Sequence, residues 1–311
     1  MPVDQLKNKE YDQLITFYLV LIFFFSALLL GGTFFDERIA KTLFSPDNTF
    51  VKYVTSTGVF PFFSFAVLFL GVVCQKLISS GINKAVKITL CMILFLAAVF
   101  VGFIGAGSLL DKDCLGSIYP RLDRNIPVIV VLSLITVPLL IFAGFKLGKM
   151  SCESQIIKRV ICVLVLLGIS YALLQVFKGA FNRPRHRLIV AGYEGIEFIP
   201  WYTRFAKAKA YIALYGLDKG ELRSFPSGHS ILSMAVIYIL PSFSWFFKKL
   251  RDKKLVLSIA GLCFAMIIMF TRMILGAHYL SDVSFGALIG SLLALCYAMI
   301  QKRITVKSMA T

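Results

Sequence analysis

Acidic residues are scarce in this 311-residue chain, where 16 Asp and Glu stand against 33 Lys and Arg. Charge of both signs together reaches only 16%, short of the roughly 25% of a soluble domain. No polar stretch is long enough to fold as a separate soluble domain. That excludes a nucleic-acid reader, although the formal charge of +17 would otherwise invite one. The seven cysteines, at 74, 91, 114, 152, 162, 263 and 296, show no zinc-type CxxC spacing. Most fall within apolar stretches, where Cys behaves as a small hydrophobe, so neither a disulfide framework nor a metal site is expected. Histidine is rarer still, with three in the chain: His186, His229 and His278.

Apolar length, in contrast, is abundant. Hydrophobic residues make up 58%, and runs of about 20 recur, each able to cross a hydrocarbon core about 30 Å thick. Eight helices are predicted, at 14–32, 58–75, 88–110, 126–147, 157–177, 227–247, 255–275 and 282–300. The first run is too long for a signal-peptide core and lacks a small-x-small cleavage site, so it reads as a retained span. Asp36 to Phe44 reads as a short interfacial helix, and Pro46-Asp47-Asn48 as a turn. The expected fold is all-α, a single polytopic membrane helix bundle over residues 1–311.

Eight spans put both termini on one side. The short basic segment Lys248-Lys249-Leu250-Arg251-Asp252-Lys253-Lys254 marks that side as cytoplasmic. Basic residues at 76–87, 146–159 and 302–307 fall there too. One external loop, 178–223, holds nine Lys and Arg; apart from it, 17 lie inside and 7 outside. Connections this long are usually functional. Within it Phe205, Ala208, Ile212 and Tyr215 fit one helical face, ended by Gly216. Such a basic, aromatic piece suits an interfacial helix or lid.

All three histidines map to the external membrane boundary, within three strings. The first is Lys178-Gly179-Ala180-Phe181-Asn182-Arg183-Pro184-Arg185-His186. Its Lys and Arg residues suit a phosphate, since guanidinium binds two oxygens at once; a basic membrane flank looks the same. The second is Ser224-Phe225-Pro226-Ser227-Gly228-His229, just before the sixth run. Gly228 allows close backbone approach, Ser227 adds a hydroxyl, and His229 can donate a proton near neutrality. Its plain alternative is a capped helix start. The third runs from Arg272 through His278 to Asp282. A cation at the end of an apolar span is costly. A carboxylate four residues from an imidazole can fix its tautomer and make the other nitrogen a better nucleophile or base. A purely structural Arg–His–Asp network is the alternative. These residues alone do not decide which histidine attacks.

In their order the strings resemble the type 2 phosphatidic acid phosphatase superfamily, whose pattern is Lys-x6-Arg-Pro, Pro-Ser-Gly-His and Ser-Arg-x5-His-x3-Asp. Lys178 and Arg185 fit the first element, residues 226–229 the second, and Arg272, His278 and Asp282 the third. The resemblance covers about half the chain, from the fifth span onward. His186 replaces the proline of the pattern, and Thr271 its serine. Aligning Arg183-Pro184 instead shortens the lysine spacing to four, so Arg183 is kept as a helper.

The resemblance implies a six-helix phosphatase core, to which eight spans add a hairpin. It implies that His278, oriented by Asp282, attacks phosphorus and forms a phosphohistidine. Lys178, Arg185 and Arg272, with Ser227 and the Gly228 amide, would stabilise the oxygens while His229 protonates the leaving group. It implies no metal and no cofactor. A site at headgroup depth points to a membrane lipid phosphate as substrate: an isoprenyl diphosphate carrier, phosphatidate or phosphatidylglycerol phosphate. The expected setting is a bacterial plasma membrane, with the site facing away from the cytoplasm. Two other readings stay open, a lipid-linked phosphotransferase and a non-catalytic phospholipid-binding protein or transporter.

Overall fold

The computed structural model describes residues 3–151 and 153–307; Cys152 lies outside the described residues. Among these, helices are joined by turns and there is no strand. Seven helices are long and apolar enough to cross a membrane. The chain is a multi-pass, all-α bundle.

Helix α1, Val3–Leu43, runs for 41 residues, about 60 Å at 1.5 Å per residue. It outreaches the membrane core, so its far end stands at headgroup level. Tyr11, Leu14, Tyr18, Leu21 and Phe25 are all buried, and their alternating spacing of three and four makes one stripe down the helix. That stripe packs along α12, Leu280–Lys307. It continues through Gly32, where a Cβ would come within 2.7 Å of the Ser281 amide, and on to buried Asp36. The expected interfacial helix at 36–44 is instead the last part of α1. No proline or glycine follows Gly32 until the turn at Pro46, so nothing interrupts the helix.

Two further helices, α2 (Thr49–Ser56) and α3 (Phe60–Ile78), make up the second crossing. Next come α4, Lys84–Leu109, and α5, Ile126–Met150. Each begins at an asparagine, Asn83 or Asn125, whose side chain accepts a free backbone N–H of the first turn. The α4–α5 hairpin packs chiefly on α3. Its closest approach is Gly144, where a Cβ would meet the Leu68 carbonyl at 1.9 Å. Most of its outer surface faces away from the protein, as lipid-exposed helices require. This hairpin is the peripheral pair; the other crossings form a six-helix inner group.

Helices α6 (Ile156–Lys178) and α11 (Lys254–Ile274) cross fully. The long loop holds α7, His186–Val190, and α8, Ala208–Tyr215, which ends at Gly216 with φ +63°. Phe205, Ala208, Ile212 and Tyr215 pack together with Leu188, Ile196 and Leu222. The loop therefore carries a small core of its own.

The run expected at 227–247 is helical but broken into α9, Gly228–Met234, and α10, Val236–Ser242. Both are almost wholly buried. Pro241 has no N–H to give the Ile237 carbonyl four residues back. Tyr18 Oη and Ser258 Oγ donate to that carbonyl instead, at 3.0 and 2.7 Å. Broken helices persist in membranes only where neighbours satisfy the freed groups in this way.

The two ends of the bundle differ. Lys254 donates to Glu10, Lys302 pairs with Asp12 at 2.5 Å, and Lys76 and the Trp245 carbonyl both meet Ser151. The start of α1, the end of α12 and the basic 248–254 segment thus share one end. The three histidine-bearing strings converge at the other.

Candidate active site

Three connecting segments and several helix ends meet in a cavity of about 380 Å³. Lys178 reaches it from the last turn of α6, Arg185 from the residue before α7, and Arg272 from the last turn of α11. Gly228 and His229 enter from the start of α9, and His278 from the α11–α12 turn. Six of the eight residues expected to do the chemistry thus face one space. A Cβ on Gly228 would sit 3.1 Å from Leu174 and 3.4 Å from the Lys178 stem. Any larger residue would press on both side chains where α9 meets α6.

The His278 imidazole is held by its Nδ1, 2.6 Å from the Ser224 carbonyl oxygen. A carbonyl can only accept, so Nδ1 carries the hydrogen and Nε2 keeps its lone pair. Asp282 lies 3.7 Å from Nδ1, too far for a hydrogen bond. The direct His–Asp contact expected from the four-residue spacing is replaced by a relay. Asp282 accepts from Ser224 Oγ, from the Tyr279 amide at 2.8 Å and from Arg183 Nη1 at 2.6 Å. It positions the turn that carries the imidazole and the serine that holds it.

Arg183 is not in the cavity. Its guanidinium is fully buried and spent on the Ile199 carbonyl, Ser281, Asp282 and Asp36, and it lies 4.1 Å over the Tyr279 ring. Asp36 in turn accepts from the Ser281 amide and hydroxyl. This network binds α1 to the start of α12. Ser227 also stays out of the cavity: its hydroxyl caps α9, accepting the Ser230 amide at 3.3 Å. His186 is buried edge-on against Phe44 and serves packing.

The cations are not left bare. Arg185 Nη1 and Arg272 Nη2 both donate to Asp113 Oδ2, at 2.6 and 2.7 Å, while Arg187 takes Oδ1 at 2.6 Å. Burial alone would raise the Asp113 carboxyl; Arg185, Arg272 and Arg187 outweigh it and hold the group well below the usual carboxylate range. Arg272 keeps Nε and Nη1, and Arg185 keeps Nε, buried and without a partner. Those three N–H groups are donors waiting for oxygens. Cys114, next in sequence, places its sulfur 3.7 Å from His229 Nε2, and burial pushes its thiol up to about 12, so it stays a thiol.

Sequence reasoning missed Asp36, Asp113 and Ser224. Asp113 sits in the turn of the peripheral hairpin, outside the three strings, and no periodicity marks it. The available signal was scarcity. In a chain with 16 acids, a carboxylate next to a span at the histidine end is a natural counter-charge for buried arginines.

Searches of curated proteins and of solved structures returned no match. The family model of the PAP2 superfamily matches residues 159–305. That stretch spans α6 to α12 and contains every string residue that reaches the cavity. PAP2 members are generally phosphatases, with phosphotransferase-type chemistry as the near relative, and residues 159–305 of this chain are similar to that superfamily.

Proposed function

We infer that the protein is a membrane lipid phosphatase that works through a phosphohistidine at His278. One observation carries this reading. The Nδ1–H of His278 is tied to the Ser224 carbonyl, which leaves Nε2 its lone pair, and His278 lines a cavity shared with Lys178, Arg185, Arg272 and His229. A substrate phosphoryl group in that cavity meets a nucleophile, three cations and a second imidazole.

The chemistry then runs in two steps. Nε2 donates its lone pair to phosphorus as the bond to the leaving oxygen breaks, and His229 gives that oxygen its proton. A dianionic phosphate beside His229 favours the protonated imidazole. Water next attacks the phosphohistidine, His229 accepts its proton, and the P–N bond returns its electrons to Nε2. The unpartnered N–H groups of Arg272 and Arg185 receive the charge that spreads over the equatorial oxygens.

A lipid substrate is supported by the lower wall of the cavity, where Val59, Phe63, Ile104 and Leu174 replace the polar lining. These come from α3, α4 and α6, so an acyl or isoprenyl chain leaves the cavity towards the membrane. The basic segment at the far end of the bundle supports a site facing away from the cytoplasm.

The test is phosphate release by the detergent-purified protein, with chelator present, from a panel of lipid mono- and diphosphates. His278→Ala is expected to lose about 10³-fold or more in turnover. Unchanged release by that variant from every lipid in the panel would sink the reading.

A further inference from the structure

A second polar cavity, of about 310 Å³, lies at the opposite end of the bundle. It opens where the start of α1, the start of α6, the α10–α11 connection and the end of α12 come together. At its base is Arg159, 3% exposed. Its terminal nitrogens donate to Gln301 at 3.0 Å and Thr305 at 2.9 Å, and Glu153 lies 3.4 Å away. Its Nε has no partner, and neither does the buried Ser244 hydroxyl beside it. A buried guanidinium N–H left open is costly unless something accepts it.

The charges around the cavity do not cancel. Lys254 is committed to Glu10. Lys248 and Arg251 stand at the mouth, and among the described residues neither is paired with a carboxylate within 4.0 Å. Four cations thus face three carboxylates, the third being Asp252. Donors dominate the lining and come from several elements, which suits an anion with several acceptor oxygens rather than a flat carboxylate. One acceptor is also open: Glu10 Oε1 is buried without a partner, and it matches a hydroxyl on the same ligand. The cavity lies at the ends of three membrane spans, at headgroup depth.

We propose that this cavity is a second, non-catalytic site for a phosphate ester that carries a neighbouring hydroxyl, held by Arg159, Ser244, Lys248 and Arg251. The site links both terminal helices to α6 and to the basic segment, so its ligand clamps the end of the bundle furthest from His278. Two sources share this chemistry, a glycerol-phosphate lipid headgroup of the adjoining leaflet and a free phosphate ester.

Trp245 lines this cavity, and Trp201 lies at the other end near Phe225. The chain has two tryptophans, so 5-fluorotryptophan labelling gives one fluorine signal for each end, assigned with Trp201→Phe. In nanodiscs, adding phosphatidylglycerol to phosphatidylcholine is expected to shift the Trp245 signal saturably, and chloride at matched ionic strength is not. Glycerol phosphate titrated into detergent-solubilised protein separates the sources: a shift here points to the free ester, and a shift in nanodiscs alone to the lipid. In Lys248→Gln/Arg251→Gln, whose changes sit at the exposed mouth, the midpoint should weaken by about tenfold or more. Arg159→Gln should abolish the shift. A Trp245 signal that ignores both ligands, or that shifts equally in the mouth variant, overturns the proposal. Because the Trp201 signal reports the histidine end separately, failure here leaves the catalytic reading untouched, and the reverse holds as well.

Discussion

At the scale of single residues, the decisive feature is which nitrogen of His278 is free. Burial holds this imidazole down at about 3; Arg272 and Arg185 push the same way, and Asp282 opposes them. An unfolded histidine titrates near about 6.5. Between those values the unfolded chain binds a proton that the folded chain refuses. Stability is therefore full above about pH 6.5 and falls as pH is lowered towards 3. His278 stays a free base throughout the neutral range, as the proposed attack on phosphorus requires. In 15N-histidine spectra the His278 signals should not titrate between about pH 5 and 8; a midpoint near 6.5 would contradict the burial argument. Asp36→Asn tests the brace around the same turn. It loosens Arg183 and Ser281 without touching the cavity. Turnover should fall about tenfold or more with little change in KM, because positioning rather than binding is lost. Restoration by Asp36→Glu would support a charge requirement.

At the scale of elements, the α4–α5 hairpin joins the peripheral layer to the site. It packs on α3 at the bundle's edge, yet its turn sends Asp113 between two arginines of the cavity. Removing one partner of a buried ion pair costs about 3–5 kcal/mol. Asp113→Asn should lower the unfolding midpoint in detergent accordingly, since Arg185 and Arg272 lose their counter-charge while Arg187 keeps Glu221. Phosphate or vanadate should restore it more than in the parent protein, because an anion bound only by the folded state stabilises it by mass action. Equal shifts in both proteins would show that Asp113 and the anion do not share these donors. The broken α9–α10 crossing gives a second test. Tyr18→Phe with Ser258→Ala strips the Ile237 carbonyl of both donors, and a buried carbonyl without a partner costs about 1–3 kcal/mol. The single variants should each cost less than the pair.

At the scale of the whole molecule, the bundle has one basic, histidine-free end and one end that gathers the strings. This polarity predicts sidedness. In sealed vesicles of known orientation, membrane-impermeant vanadate should inhibit only from the face opposite the 248–254 segment, as the excess of Lys and Arg there requires. Inhibition from the same face as that segment would contradict a site at the opposite end of the bundle. The long loop at the site end has its own apolar core around Ala208 and Leu222, so it sits on the bundle as an ordered cap.

Much of this was legible in the chain itself. Apolar runs of spanning length, the basic segment and Gly216 as a helix stop predicted the helices, the two distinct ends of the bundle and even the buried face of α8, because each is a local property of composition and spacing. From the Pro-Ser-Gly-His string and the Arg272–His278–Asp282 spacing, Gly228, His229, Arg272 and His278 do meet in one cavity. What spacing could not decide was who touches whom. Asp282 sits four residues from His278, yet the turn between α11 and α12 hands the imidazole to the Ser224 carbonyl. Arg183 and Arg185 are two residues apart, yet one braces α1 against α12 while the other faces the cavity. Asp36 and Asp113 join the site from 147 and 72 residues away from their arginine partners. Such pairings are set by the packing of whole helices, where an unpaired buried charge is too costly to persist, and no local pattern records them.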